Sequence, residues 1–154
     1  MTAAVQTRRL TRYFGTLCAV NELDLSVPAG CVYGLLGLNG SGKTTTIRML
    51  LGLLLPSHGS ATVLGADCRD LPPAVRDRIG YVTEGHRLHR SMRIRDLALF
   101  NRKFFSRWDQ DYFEEIMLHF GLDSAKRVRQ LSSGQRAQVS LSLAGGAPRP
   151  ADHG

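Results

Sequence analysis

The sequence has no long apolar stretch: its longest nearly unbroken run, Met49 to Leu55, falls far below the roughly 20 residues that cross a bilayer as a helix. No transmembrane helix is therefore expected. The opening MTAAVQTRRL carries no apolar signal core, which points to a cytoplasmic chain and not a secreted one. Cysteine is scarce as well. Cys18, Cys31 and Cys68 form neither a CxxC pair nor a zinc-ligand spacing, so ordinary reduced thiols are expected. Internal repeats, low-complexity tracts and a linker that would divide the chain are also missing. The net charge of +7 is spread from Arg8 to Arg149, and only Arg87, Arg90, Arg93 and Arg95 approach a cluster; no nucleic-acid partner is expected. What is present is 154 residues, 43% of them hydrophobic, which is enough to bury a core of domain size.

Apolar and β-branched residues from Val5 to Phe14, Leu23 to Val27 and Cys31 to Leu36 predict strands, with Pro28, Ala29 and Gly30 turning between the last two. After Gly42 the spacing of Ile47, Leu50, Leu51 and Leu54 predicts a helix stopped by Pro56. Gly59 to Gly65 predicts a short strand, Pro72 to Arg78 a short helix and Ile79 to Thr83 another strand. Helical spacing returns over Met92 to about Phe105, over Asp109 to Phe120 before Gly121, and over Arg136 to Leu143. Residues 1–144 thus read as one domain and 145–154, rich in Gly and Pro, as an irregular tail.

The strongest chemical signal is GLNGSGKT, Gly37 to Thr44, which satisfies G-x-x-x-x-G-K-[ST] between an apolar strand and an apolar helix. Gly37, Gly40 and Gly42 let the backbone curl, with Asn39 and Ser41 between them, so that successive N–H groups and the following helix dipole meet one anion. Lys43 is placed to reach the β- and γ-phosphates, the Thr44 hydroxyl to coordinate Mg²⁺, and Thr45 to add a phosphate contact. The loop alone says nucleoside triphosphate and magnesium, because kinases, GTPases and many ATPases share it.

About ninety residues downstream comes LSSGQ, Leu131 to Gln135. A serine hydroxyl and a small-residue turn at a helix start make a second anion site, or simply a helix cap. Following a phosphate loop at this distance, it resembles the signature of the ATP-binding cassette (ABC) family, usually spelled LSGGQ, with Ser133 in place of a glycine. The resemblance covers nearly the whole chain. It implies an α/β fold: a P-loop NTPase core with an antiparallel β subdomain and a helical subdomain. It also implies ATP and Mg²⁺ as ligands, with Phe14 stacking on adenine and Ser132, Ser133, Gly134 and Gln135 contacting the γ-phosphate held by a partner subunit. The segment IGYVTEGHRL resembles the one in which the family places a magnesium-touching glutamine; here Glu84 stands at that position. The aromatics Phe104, Phe105, Trp108, Tyr112 and Phe113 read either as core or as a docking face for membrane-subunit helices.

Beyond its signature the family carries a buried strand ending in aspartate, then a glutamate, and later a histidine. This chain reads AGGAPRPADHG there, and Asp152 and His153 have no predicted strand to position them. No residue is therefore assigned as catalytic, and the carboxy-terminal part of the sheet is expected to be missing. A fragment or short product fits this, as does a reading-frame change, which the abrupt switch in composition favours. The expectation is an ATP-binding subunit of an ABC-type transporter, truncated and hydrolysis-deficient, that works with transmembrane permease subunits and a second ATP-binding subunit at the inner face of the membrane. The alternatives are a non-catalytic ATP-binding or regulatory module and an inert remnant of a cassette gene.

Overall fold

The computed structural model describes residues 3–83, 85, 88–105 and 107–147. These fall into two compact units that divide between Val75 and Arg76, inside a single helical turn at Pro73–Arg76.

The first unit is a four-stranded antiparallel sheet with one helix against it. Strand β1 (Ala3–Phe14) and strand β2 (Leu17–Pro28) form a hairpin around Gly15 and Thr16, and β3 (His58–Val63) and β4 (Ala66–Asp67) complete the order β2-β1-β3-β4. The predicted strand at Leu23 begins earlier, at Leu17, because the tight turn pairs Phe14 with Leu17 and continues the ladder from there. Leu64 and Gly65 both take positive φ in the β3–β4 turn, as a two-residue hairpin loop requires.

A bulge explains why burial along β1 departs from strict alternation. Arg9 has φ 45° and Glu22, in the facing strand, φ 42°, and the register shifts between Thr7 and Leu10. Thr7, Leu10 and Thr11 consequently all point inward. The two buried hydroxyls are satisfied: Thr7 Oγ1 donates to Leu23 O at 2.7 Å, and Thr11 Oγ1 donates to Arg9 O and accepts from Glu22 N, both at 3.0 Å. Arg9 and Glu22 form an exposed ion pair across the bulge, which raises the guanidinium pKa further above its ordinary value.

Helix α1 (Lys43–Leu50) buries Thr46 and Met49, and Met49 joins Leu10, Val20, Ala61 and Cys68 in the core of this unit. The helix starts at Gly42, whose φ of 87° is left-handed; a Cβ there would lie 2.3 Å from Ala19 O on β2. The start of α1 is thus pressed directly onto the sheet backbone.

The second unit is helical. It contains α3 (Ile94–Arg102), α4 (Gln110–His119), a 3₁₀ turn (Val128–Gln130) and α5 (Ser133–Gly145), following the short turn Pro73–Arg76 counted as α2. Ile94, Leu97, Phe113, Met117, Val128, Val139 and Leu143 form its core. Asp109 caps α4 by accepting from Tyr112 N at 3.0 Å, and Gly121 takes φ 61° just past its end. Phe113 is core, Trp108 packs against that core and donates its indole N–H to Gln110, while Phe104 is 64% exposed.

Two strand expectations are corrected. Cys31–Leu36 and Ile79–Thr83 lie in no ladder among the described residues. Their composition suits an interior strand, but strand structure needs a hydrogen-bonded neighbour, and neither segment has one.

Gly42→Ala is expected to lower stability by about 1–3 kcal/mol, since it combines a disfavoured φ with a backbone clash; urea unfolding measures this. Cys68 is 1% exposed, and burial pushes its thiol pKa up, whereas Cys18 and Cys31 are exposed. In the native chain a thiol reagent is expected to label Cys18 and Cys31 rapidly and Cys68 only after denaturant is added.

Candidate functional site

The segment from Gly37 to Thr45 belongs wholly to the first unit and is positioned by α1. Leu38 O accepts from Ser41 N at 3.2 Å, which turns the chain sharply, and Thr46 N donates to Gly42 O at 2.8 Å as the first helical bond. No side chain caps the helix start. Its leading N–H groups are therefore unspent, and no acidic residue in the first turn offsets the positive end of the dipole.

Lys43 closes this turn from the other side. Its Nζ donates to Gly37 O at 2.6 Å and to Leu38 O at 2.7 Å, which holds the ammonium across the loop. An ammonium has three donors, so one is left for an anion. Asn39, Gly40, Ser41 and Thr44 are exposed, and Thr45 is half-buried. The cradle therefore combines uncapped amides, a fixed cation and an accessible hydroxyl, a donor set that suits a polyphosphate and its Mg²⁺.

Phe14 stands at the end of β1, opposite Leu17 in the hairpin, and Gly42 touches the same hairpin at Ala19. Its ring is 46% exposed, and the Arg12 guanidinium carbon lies 4.8 Å from the ring centroid. Arg12 is itself anchored by donating from Nη1 to Leu55 O at 2.8 Å. Sequence reasoning missed this neighbour; the alternation of Arg12 and Phe14 along one face of a strand was the available signal.

In the second unit LSSGQ forms the start of α5. Ser132 Oγ accepts from Gln135 N at 3.1 Å, and Gln135 Oε1 accepts from Ser132 N at 3.0 Å. This is a reciprocal capping box, written in the sequence as serine followed three residues later by glutamine. Both side chains, read from sequence as phosphate contacts, also carry the helix cap. Ser133 and Gly134 are exposed, and a Cβ on Gly134 would meet nothing closer than Ser132 Oγ at 4.0 Å, so the turn presents open backbone. Leu131, 4% exposed, roots the motif in the helical core, and Arg136 Nη1 donates to Leu131 O at 2.8 Å. Glu84, assigned from sequence to magnesium, lies outside the described residues, as do Asp152 and His153.

The family profile described as ABC transporter matches residues 20–145. A Nod factor export ATP-binding protein of Cupriavidus metallidurans is 37% identical over 150 residues, covering 94% of this chain and 49% of the relative. A bacitracin transport ATP-binding protein of Bacillus licheniformis is 32% identical over 94% of this chain and 48% of its own length. A daunorubicin/doxorubicin resistance ATP-binding protein of Streptomyces peucetius is 36% identical over 91% of this chain and 44% of its own. The chain thus spans about half the length of these curated relatives. Among solved structures, the ATP-binding subunit of an ABC transporter superposes with TM-score 0.80 at 21% identity, covering 92% of this chain and 61% of that one. A dimeric ATP-binding cassette bound to ADP and Pi gives TM-score 0.79 at 21% identity over 95% and 71% of the two chains. The uncapped phosphate loop on its antiparallel sheet and the LSSGQ cap on its helical unit agree with these matches, and the chain belongs to the ATP-binding subunit family of ABC transporters.

Proposed function

We propose that this chain binds MgATP in the Gly37–Thr45 cradle as the nucleotide-binding part of an ABC-type transporter. The observation that carries the reading is the start of α1, uncapped and crossed by the Lys43 ammonium. The residues present suit the nucleotide. The backbone of Gly37 to Lys43 and the Lys43 ammonium hold the phosphates, Thr44 supplies a hydroxyl to the metal, and the exposed Phe14 ring offers a face for the base. Arg12 braces that ring and adds positive charge beside it. When bound, MgATP supplies the polyphosphate around which two subunits would close; this chain's own described residues bind and orient it.

LSSGQ gives the second half of the reading. Its exposed turn is an anion site at the start of a thirteen-residue helix, and by family resemblance it faces the nucleotide of a second ATP-binding subunit, identical or different. Pairing of the two subunits around ATP then drives separate transmembrane permease subunits from the cytoplasmic face. Transport is supported by the three named relatives, each an export, transport or resistance ATP-binding protein. No described helix is long and apolar enough to cross a membrane, so the translocation path lies in other chains under this reading.

ATP titration in the presence of Mg²⁺ tests the cradle. Saturable binding is expected, and Lys43→Ala is expected to weaken it about 10- to 100-fold, the loss of one charge-assisted contact to phosphate. Binding equal in the variant and in the parent chain, both folded by far-UV circular dichroism, overturns the reading. Ser132→Ala is expected to lower stability by about 1 kcal/mol through the lost cap and to leave ATP binding by the single chain unchanged. Thermal unfolding followed alongside the titration separates the two effects.

A further inference from the structure

Three hydrogen bonds tie the end of β1, which carries Phe14, to the chain leaving α1. Thr11 O accepts from Ser57 N at 2.8 Å, Tyr13 N donates to Ser57 Oγ at 3.0 Å, and between them Arg12 Nη1 donates to Leu55 O at 2.8 Å. Residues 55–57 follow closely on the end of α1 at Leu50, so the helix that starts at the Gly37–Thr45 turn is clamped beyond its far end to β1. The hairpin completes the link at the near end. Arg12 is registered opposite Val20, and a Cβ on Gly42 would lie 3.0 Å from Val20 Cγ2. The place of Phe14 relative to the start of α1 is therefore set from both ends of that helix.

Arg12 carries this clamp to the ring. Its guanidinium carbon lies 4.8 Å from the Phe14 centroid, within the range of a cation–π contact. Arg12 makes no ion pair among the described residues, and its Nε is buried there without a hydrogen-bond partner. Its charge is thus neither neutralised by a carboxylate nor spent on a polar network. Leu55 O and the Phe14 ring are what its head group meets among the described residues. A guanidinium over one face of an aromatic ring leaves the opposite face for stacking, and Phe14 is 46% exposed.

We propose that Arg12 is a positioning residue for the nucleotide base: anchored on Leu55 O, its guanidinium fixes the Phe14 ring from one face so that the base stacks on the other. The inference rests on the reading of Phe14 as the platform for the base, and it gives Arg12 no contact with phosphate. A ring already held in place loses less freedom when a base stacks on it, which raises affinity for the base and leaves the phosphate chain unaffected. A cation acting instead through its field on the polyphosphate strengthens every polyphosphate alike, with or without a base. Comparison of ligands with and without the base separates the two roles.

Calorimetric titration of the full chain in Mg²⁺ uses two probes: ATP, and inorganic tripolyphosphate, which keeps the phosphates and lacks the base. Arg12→Met retains an unbranched apolar stem and removes the guanidinium. It is expected to weaken ATP binding about 3- to 10-fold and to leave tripolyphosphate within about twofold of the parent. Phe14→Ala is expected to weaken ATP about tenfold or more, again without change for tripolyphosphate. The double variant is expected to bind ATP as weakly as Phe14→Ala alone, because Arg12 acts through the ring. Arg8→Met removes an exposed charge from the same strand and is expected to bind both probes as the parent does. All titrations are run well below the unfolding midpoint of each variant. With ATP binding to the parent in place, this inference alone is overturned if Arg12→Met or Phe14→Ala binds ATP as the parent does. It is equally overturned if Arg12→Met loses tripolyphosphate in proportion to ATP, or if the two substitutions add in full. Absence of binding of either probe to the parent chain overturns the reading of Gly37–Thr45 and this inference with it.

Discussion

The packing of α1 onto the β1–β2–β3 face is the contact on which the phosphate loop depends. Met49 sits fully buried against Leu10, Val20 and Ala61, and at the other end of the helix Gly42 meets the carbonyl of Ala19 with no room for a side chain. These two contacts set the height and direction of the helix start. The loop before it then has little freedom. It must reach Gly42 from a surface segment, and it turns at Leu38 to Ser41 with Lys43 folded across it. A helix end left uncapped in this way is poor design for stability alone, because its N–H groups go unpaired. It is what the proposed binding of an anion requires.

The second unit treats its own helix start differently. At α5 the amides are partly satisfied by the Ser132–Gln135 capping box, and Leu131 anchors the turn in a core built from α3, α4 and α5. One motif therefore does two jobs: it ends the 3₁₀ turn and starts a helix, and it keeps the backbone around Ser133 and Gly134 open. Deletion of the cap would weaken the helix that carries the motif, so loss of function in variants of LSSGQ has to be separated from loss of structure.

Most of the elements were legible because their periodicity is local. The helices over Met92–Phe105 and Asp109–Phe120 are found at Ile94–Arg102 and Gln110–His119, their ends trimmed by turn and cap chemistry that acts within a few residues. The turn before α1 was legible for the same reason: its glycines, lysine and threonine are contiguous, and its conformation follows from local backbone preferences. The bulge at Arg9 and Glu22 was not legible, since it depends on how two strands register across the hairpin. Arg12 beside Phe14 was within reach of the sequence, since the predicted strand Val5–Phe14 already puts residues two apart on one face; only the contact itself, with Arg12 anchored on Leu55 O, needed the tertiary structure.

By itself the sequence determined the family and the α/β class, and it named candidate residues in Gly37–Thr45 and Leu131–Gln135, because these rest on short contiguous patterns. Only the tertiary structure decided which apolar runs are strands. Val5–Phe14 and Cys31–Leu36 look alike as composition, yet the first is paired on both sides in the sheet and the second lies in no ladder. The physical reason is that a helix satisfies its backbone from within its own residues, whereas a strand is defined by hydrogen bonds to a neighbour that its own sequence does not contain.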